Sequence, residues 1–323
     1  MSRQEKLLWL LAAGILILLF LMSSTDWIIK ERKPEVYPIS VIIDDSKDDY
    51  YQNFRKGMEQ AAIEANADVR FITLYERNSS EQQIELLLRE MDDDARAVIL
   101  VPVDQKAVLK VLDGTRIMKP VIVADSGLGG TGIASSIGAD EYEEGRKIAE
   151  GLCSHTGQNT PVYLFSEGLA YGDNSRIYDG VMSVLSEKGY AASLYEKKSG
   201  SSYREIIESA VYPGSAAAAI IALDTASLAE TAGILEESDV YRRYIRGLYG
   251  PGFTIGLLND LDRGVITGIG MTDEYNVGYL SVMKAVEAIE TGGQRDSITL
   301  DSFYIERSQI RDPEYEMMLY PID

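Results

Sequence analysis

Cysteine, histidine and tryptophan are almost missing from this chain of 323 residues, which has one, one and two of them. A lone cysteine, Cys153, excludes an intramolecular disulfide and a cysteine-based metal cluster. It follows Ile148 and Leu152 in an apolar helical pattern, so an inert thiol in or near a core is expected. The lone histidine, His155, would have to stand at a cleft to serve a Ser-His-Asp or Cys-His machine. It lies instead just before Gly157, near an expected helix C-terminus, where a cation favours the helix dipole. Positive charge is also in deficit: 31 Lys and Arg against 51 Asp and Glu leave a net charge of −20. A nucleic-acid partner needs a basic face to displace counterions, and none is available. Neither a low-complexity segment nor a phosphate loop is present. GLGGTG supplies Gly127, Gly129 and Gly132 in a G-x-G-x-x-G pattern, but IASSI follows where a dinucleotide site needs a helix, so a surface turn is expected. Asn78-Ser79-Ser80 has the form of a glycosylation sequon, and helix capping at Ser80 is the preferred reading. No cofactor or metal is expected.

What the chain does have is apolar content of 46 % and length for about two domains. Residues 7–22 form an unbroken run without a polar side chain, and uncharged residues continue to Thr25. At 1.5 Å per residue that stretch spans roughly 28 Å, about one hydrocarbon core. A cleaved signal peptide would have a shorter run and an A-x-A-like site, whereas Ser23-Ser24-Thr25 is a poor one. A retained single-pass anchor over residues 1–25 is therefore preferred, with cleavage as the alternative. Basic residues flank both ends (Arg3 and Lys6; Lys30, Arg32 and Lys33), which weakens any orientation argument from charge. Residues 26–36 read as a short charged linker.

From Tyr37 onward, short apolar runs alternate with amphipathic stretches, the pattern of βαβ units around a mainly parallel sheet. The stretch VIIDDSKDDYYQNF, from Val41 to Phe54, reads as a buried strand, an acidic loop and a helix start marked by Tyr50 and Tyr51. Ligands bind open parallel sheets at the carboxyl ends of strands, where such loops lie. Further strands are expected at VRFITL, AVILV and PVIVA, then at VYLFS, AAAIIA and VITGIG, with helices between them. The helix beginning at Glu274 is expected to end at Gly292-Gly293.

The ordered set of these segments resembles the type I periplasmic sugar-binding proteins, the ribose- and galactose-binding kind. It rests on YPISVIIDDSKDDYYQNFRKGMEQAA, AVILVPVDQKAV, PVIVADS, IGADEYEEGRKIAEGL and VITGIGMTDEYNVGYLSVMKAVEAI, spread over about 270 residues. The resemblance implies two Rossmann-like lobes with parallel sheets, joined by a three-strand hinge, with ligand between them. One lobe would take residues 37–140 plus 273–297, the other residues 141–272 plus 298–323. Positions implied to contact ligand are Asp44, Asp48, Tyr50, Tyr51, Asp125, Glu141, Arg176, Tyr203, Asp224, Tyr249 and Met271. Several depart from the sugar-binding pattern. Ser126 replaces an arginine, Arg176 is one residue out of register relative to Gly180, and Asp224 replaces an asparagine. Tyr249 stands for an aspartate and Met271 for a glutamine. The departures bear on the ligand, not the fold.

On the residues themselves, the tyrosines offer a stacking face for a sugar or a cation, and the carboxylates accept hydrogen bonds from hydroxyls or an ammonium group. Asp48, Asp49, Asp224 and Glu141 have capping or dipole compensation as their plainer role. The expected function is a membrane-tethered, extracytoplasmic solute-binding protein. Its partners would be a sugar or polyol, with a cationic metabolite as rival, and then an ABC-type permease or a sensor histidine kinase. The alternative is an enzyme in which a pair such as Asp44 and Asp125 does acid-base work.

Overall fold

The computed structural model describes residues 2–24, 35–44, 51–76, 78–115, 117–124, 129–171, 173–198, 200–212, 217–252, 254–292, 295–313, 315 and 319. Residues 1–36 and 37–323 form two separate units. In the first, the apolar run makes one helix, α1 (Arg3–Ser24), of 22 residues. Its span Arg3–Met22 has a mean hydropathy of 2.2 and is unburied throughout.

The second unit holds two six-stranded sheets. In chain order the first comprises β1 (Tyr37–Ile43), α2 (Tyr51–Ala65), β2 (Ala67–Thr73), α3 (Ser80–Asp92), β3 (Ala97–Leu100), α4 (Gln105–Gly114), β4 (Val121–Ala124) and β5 (Ser135–Ala139). The chain then crosses into α5 (Glu141–His155), β6 (Val162–Ser166), α6 (Asn174–Glu187), β7 (Ala192–Glu196) and α7 (Tyr203–Ile206), which runs on as one π turn over Ile207–Val211. β8 (Ala218–Ala222), α8 (Thr225–Glu236), α9 (Asp239–Tyr244), β9 (Ile245–Pro251), α10 (Ile255–Asp262) and β10 (Gly268–Met271) complete this half. A second crossing returns to α11 (Glu274–Thr291) and β11 (Asp296–Leu300), and a third reaches β12 (Phe303–Glu306). Sheet orders are β11-β5-β4-β3-β1-β2 and β12-β10-β9-β8-β6-β7. All pairings are parallel except β10 with β12.

The central strands are buried on both faces, so they read as near-continuous apolar runs and not as alternations. Side chains along β1 go to opposite faces. Ile39, Val41 and Ile43 pack with α2 and α11, and Ile42 packs with Leu87, Leu100 and Leu112. The second sheet repeats this. Phe165, Ile220 and Ala222 face Leu228 and Leu257, while Leu164, Ala219 and Ile221 face Ile148 and Val181. Each half is welded by a pair of helices in backbone contact. A Cβ at Gly57 (α2) would overlap the Tyr275 carbonyl oxygen, and one at Gly278 (α11) that of Phe54. In the other half, a Cβ at Gly180 (α6) would overlap the Tyr142 carbonyl oxygen, and one at Gly145 (α5) that of Ile177.

Some boundaries differ from expectation. The strand β11 pairs with β5 from Asp296 through Leu300, so the last crossing lies after Leu300 and not at Ser297. The cap of α3 is Ser79, whose hydroxyl accepts from the Gln82 N–H at 3.4 Å; Ser80 is already helical. α9 was absent from the sequence reading. His155 ends α5 as expected and meets Glu306 Oε1 at 2.7 Å. Cys153 is partly buried, and burial raises its thiol pKa, which fits an inert role. Gly127, in the GLGGTG segment, lies outside the described residues.

Candidate functional site

Strand ends and helix starts from both halves meet around one cavity of ≈ 210 Å³. That is below the about 300–1,000 Å³ typical for drug-sized ligands and suits a small solute. The first half contributes Asp44 from the end of β1, Tyr51 from the start of α2, and the β3 exit at Val101, Pro102 and Val103. The second contributes Glu141 and Glu144 from α5, Asp173 and Asn174 at the start of α6, and Asp224 and Thr225 at the start of α8. The crossings themselves line the floor: Ala139 before Glu141, and Met271 and Thr272 before Glu274. Across the gap, the Gln105 side-chain amide donates to the Asp173 carboxylate.

The same carboxylates that wall the cavity also start helices. Asp224 Oδ1 accepts the Ser227 N–H at 2.7 Å, capping α8, while its Oδ2 accepts the Glu167 N–H at 2.8 Å and the Asn174 amide at 3.2 Å. Burial raises its pKa, and the hydrogen bonds from Ser227 and Glu167 oppose the rise. Asp44 Oδ1 accepts the Asn78 N–H at 2.9 Å, at a residue whose φ of 59° the side chain of asparagine tolerates. Glu141 is paired with Arg176 Nε at 2.8 Å. Thr272 Oγ1 donates to Glu274.

Glu144 differs from these. It is 6 % exposed, and its carboxyl makes no hydrogen bond or ion pair among the described residues. Burial, followed by the carboxylates of Glu141, Glu274 and Asp173, pushes its pKa up to about 8, against the pull of Lys147. Burial, then Glu141, likewise raises Asp173 well above the ordinary carboxylate range.

Of the residues expected to contact ligand, the structure gathers Asp44, Tyr51, Glu141, Asp224 and Met271 around the cavity. Three others are corrected. Tyr203 is fully buried, stacked on Phe165 at 4.8 Å with its hydroxyl 2.6 Å from Ser227 Oγ, because α7 turns its first residue into the core of the second half. Tyr249 is fully buried in β9 and faces the α5 and α6 side of the sheet. Arg176 points outward on α6, half exposed, and does not line the cavity; it acts on the site through its pair with Glu141 and its charge on Asp173. Asp48, Tyr50 and Asp125 lie outside the described residues, as do Asp49 and Ser126. Sequence reasoning missed Glu144, Asp173, Asn174 and Glu274. The i, i+3 spacing of Glu141 and Glu144 puts both on one helical face, and that was the available signal.

Comparison with known proteins gives a consistent result. The model of the periplasmic binding protein domain matches residues 39–294. No curated protein matches the chain by sequence. Among solved structures, the fold is similar to an ABC transporter solute-binding protein from Agrobacterium vitis bound with α-D-tagatopyranose. The TM-score is 0.76 and the identity 17 %, covering 88 % of this chain and 100 % of that one. It is similar to a solute-binding protein from Bacillus halodurans with bound myo-inositol, with TM-score 0.75, identity 17 % and coverage of 89 % and 99 %. It is also similar to a chain of the XylFII-LytSN complex, with TM-score 0.73, identity 16 % and coverage of 85 % and 99 %. With the family model spanning most of the chain, both halves of the fold and their shared cavity, the protein belongs to the periplasmic binding protein domain family.

Proposed function

We propose that this protein is an extracytoplasmic receptor that closes on a small polyhydroxylated solute and is held at the membrane by α1. The observation that carries the reading is the cavity between the halves, walled from both sides and floored by the crossings. A solute there touches both halves and so favours the closed arrangement. Moving a two-state equilibrium from 1:99 to 99:1 takes roughly 5.5 kcal/mol of differential binding. Several hydrogen bonds of about 1 kcal/mol each, with contact to Tyr51, supply that. Sugar and polyol complexes of proteins with this fold support the ligand class.

The family is one of binding proteins, and the enzymatic alternative is not favoured. The unburied apolar α1 is long enough to cross a membrane, and the poor cleavage site at Ser23-Ser24-Thr25 is what favours its retention as an anchor. A short tether restricts delivery to a transporter and favours reading by a neighbouring membrane protein. A sensor kinase is therefore preferred over a permease, and a fold relative found in the XylFII-LytSN complex is an instance of this fold paired with another protein. The test is isothermal titration of the full chain in detergent against tagatose, arabinose, myo-inositol, glucose, galactose and their amino derivatives. Saturable binding without product formation is expected. Product formation, or no binding to any member, refutes the receptor reading. For the anchor, the full chain should sediment with membranes, and removal of residues 2–24 should release it.

A further inference from the structure

Six carboxylates line the cavity: Asp44, Glu141, Glu144, Asp173, Asp224 and Glu274. Among the described residues no lysine or arginine lines it. A neutral sugar gains from a few carboxylate acceptors, but six around one small cavity leave a mutual repulsion that its hydroxyl groups do not offset. A metal ion does not fit it either. No three of the described carboxylates converge closely enough to hold one.

The second observation is Glu144 itself. It is more than nine-tenths buried, lines the cavity, and has no hydrogen-bond or ion-pair partner among the described residues. Its carboxyl opens only onto the cavity, so a partner for it has to come from what the cavity holds. Two neighbouring acids already have neutral donors, Gln105 on Asp173 and Asn174 with two N–H groups on Asp224, and Thr272 serves one oxygen of Glu274 while its Oε2 is a buried oxygen with no hydrogen-bond donor among the described residues. Glu144 is the lining acid with neither oxygen served by a donor among the described residues, and Glu274 Oε2 stands beside it in the same cavity.

We infer that the solute carries a protonated amine, a cationic amino sugar or amino polyol, with its ammonium group seated against Glu144. The inference rests on the receptor reading above and narrows its ligand class. The hydroxyl groups of such a solute face Asp44, Asp224 and Asn174, and its positive charge offsets the mutual repulsion of the surrounding acids.

The inference has a proton signature. Glu144 faces Glu141 and Lys147 on its own helix, Glu274 at the start of α11, and Asp173 ahead of α6. With those acids around it, the ligand-free carboxyl is largely protonated near neutral pH. An arriving ammonium group favours the carboxylate, so binding expels a proton to the buffer.

The test is titration calorimetry of the full chain in detergent at mildly acidic pH, with matched pairs: glucosamine against glucose, galactosamine against galactose, and glucamine against sorbitol. Each pair is run in two buffers of different ionisation enthalpy. At least one amine is expected to bind tenfold or more tighter than its neutral partner and to release up to one proton, which the neutral partner does not. In Glu144→Gln the proton release disappears and the amine preference falls tenfold or more. Equal or tighter binding of the neutral partners overturns the inference and leaves the receptor reading standing. An amine preference unchanged in Glu144→Gln overturns the role of Glu144. Absence of binding by every member removes both the inference and the receptor reading.

Discussion

Replacing Glu144 with glutamine should change how the ligand-free protein responds to pH, and the structure fixes the sign. Burial among like charges pushes the pKa of the carboxyl up to about 8 from the ordinary 4.5. A group raised in the folded state stabilises fully below its unfolded value and loses that contribution as pH rises through the folded one. The wild-type protein therefore gives up stability between about pH 4.5 and pH 8, while the glutamine variant, neutral throughout, does not. At about 1.36 kcal/mol per pH unit, the upper figure for the loss is about 5 kcal/mol. The assay is urea unfolding of full-length wild type and Glu144→Gln in detergent, without ligand, at about pH 5 and about pH 8.5. The variant should gain on the wild type by about 3–5 kcal/mol across that interval. Two stability curves that run parallel with pH would refute the assignment of Glu144 as a strained buried acid.

Two further outcomes follow from the packing. Tyr203→Phe leaves the buried Ser227 hydroxyl without the tyrosine oxygen and should cost about 1–2 kcal/mol of unfolding free energy with solute affinity unchanged. A fall in affinity would return Tyr203 to the ligand site. Gly180→Ala drives a methyl group into the Tyr142 carbonyl and should cost about 1–3 kcal/mol. Because Glu141 and Glu144 ride on the displaced α5, affinity should fall as well, and a variant as stable and as avid as wild type would dismiss the tight helix contact.

The βαβ order was legible because doubly buried strands such as AVILV and PVIVA leave no other reading for short apolar runs between helices. The site was legible only in part. Asp44, Glu141 and Asp224 could be placed from the rule that strand ends and helix starts face the cleft. Tyr203 and Tyr249 could not be sorted by that rule. An aromatic residue at such a junction turns toward ligand or core according to the phase of its element, and here Phe165 and the α5–α6 side took them. Arg176 has the same origin, since helical phase set its guanidinium outside. Glu144 and Asp173 escaped notice because acids in a first helical turn ordinarily answer the dipole. Only the approach of the second half turns them into cavity walls.

The crossings between the halves end on two of those acids. Glu141 follows the first crossing by two residues after β5, and Glu274 follows the second by three after β10, each opening a helix that is locked by glycine contact into its own half. On the proposed function, a bound solute therefore lies against the residues that follow the crossings, with no relay of side chains between the cavity and the segments that join the halves. If the halves close on solute as proposed, a substitution that alters the charge at these two residues should shift the resting angle and the affinity together.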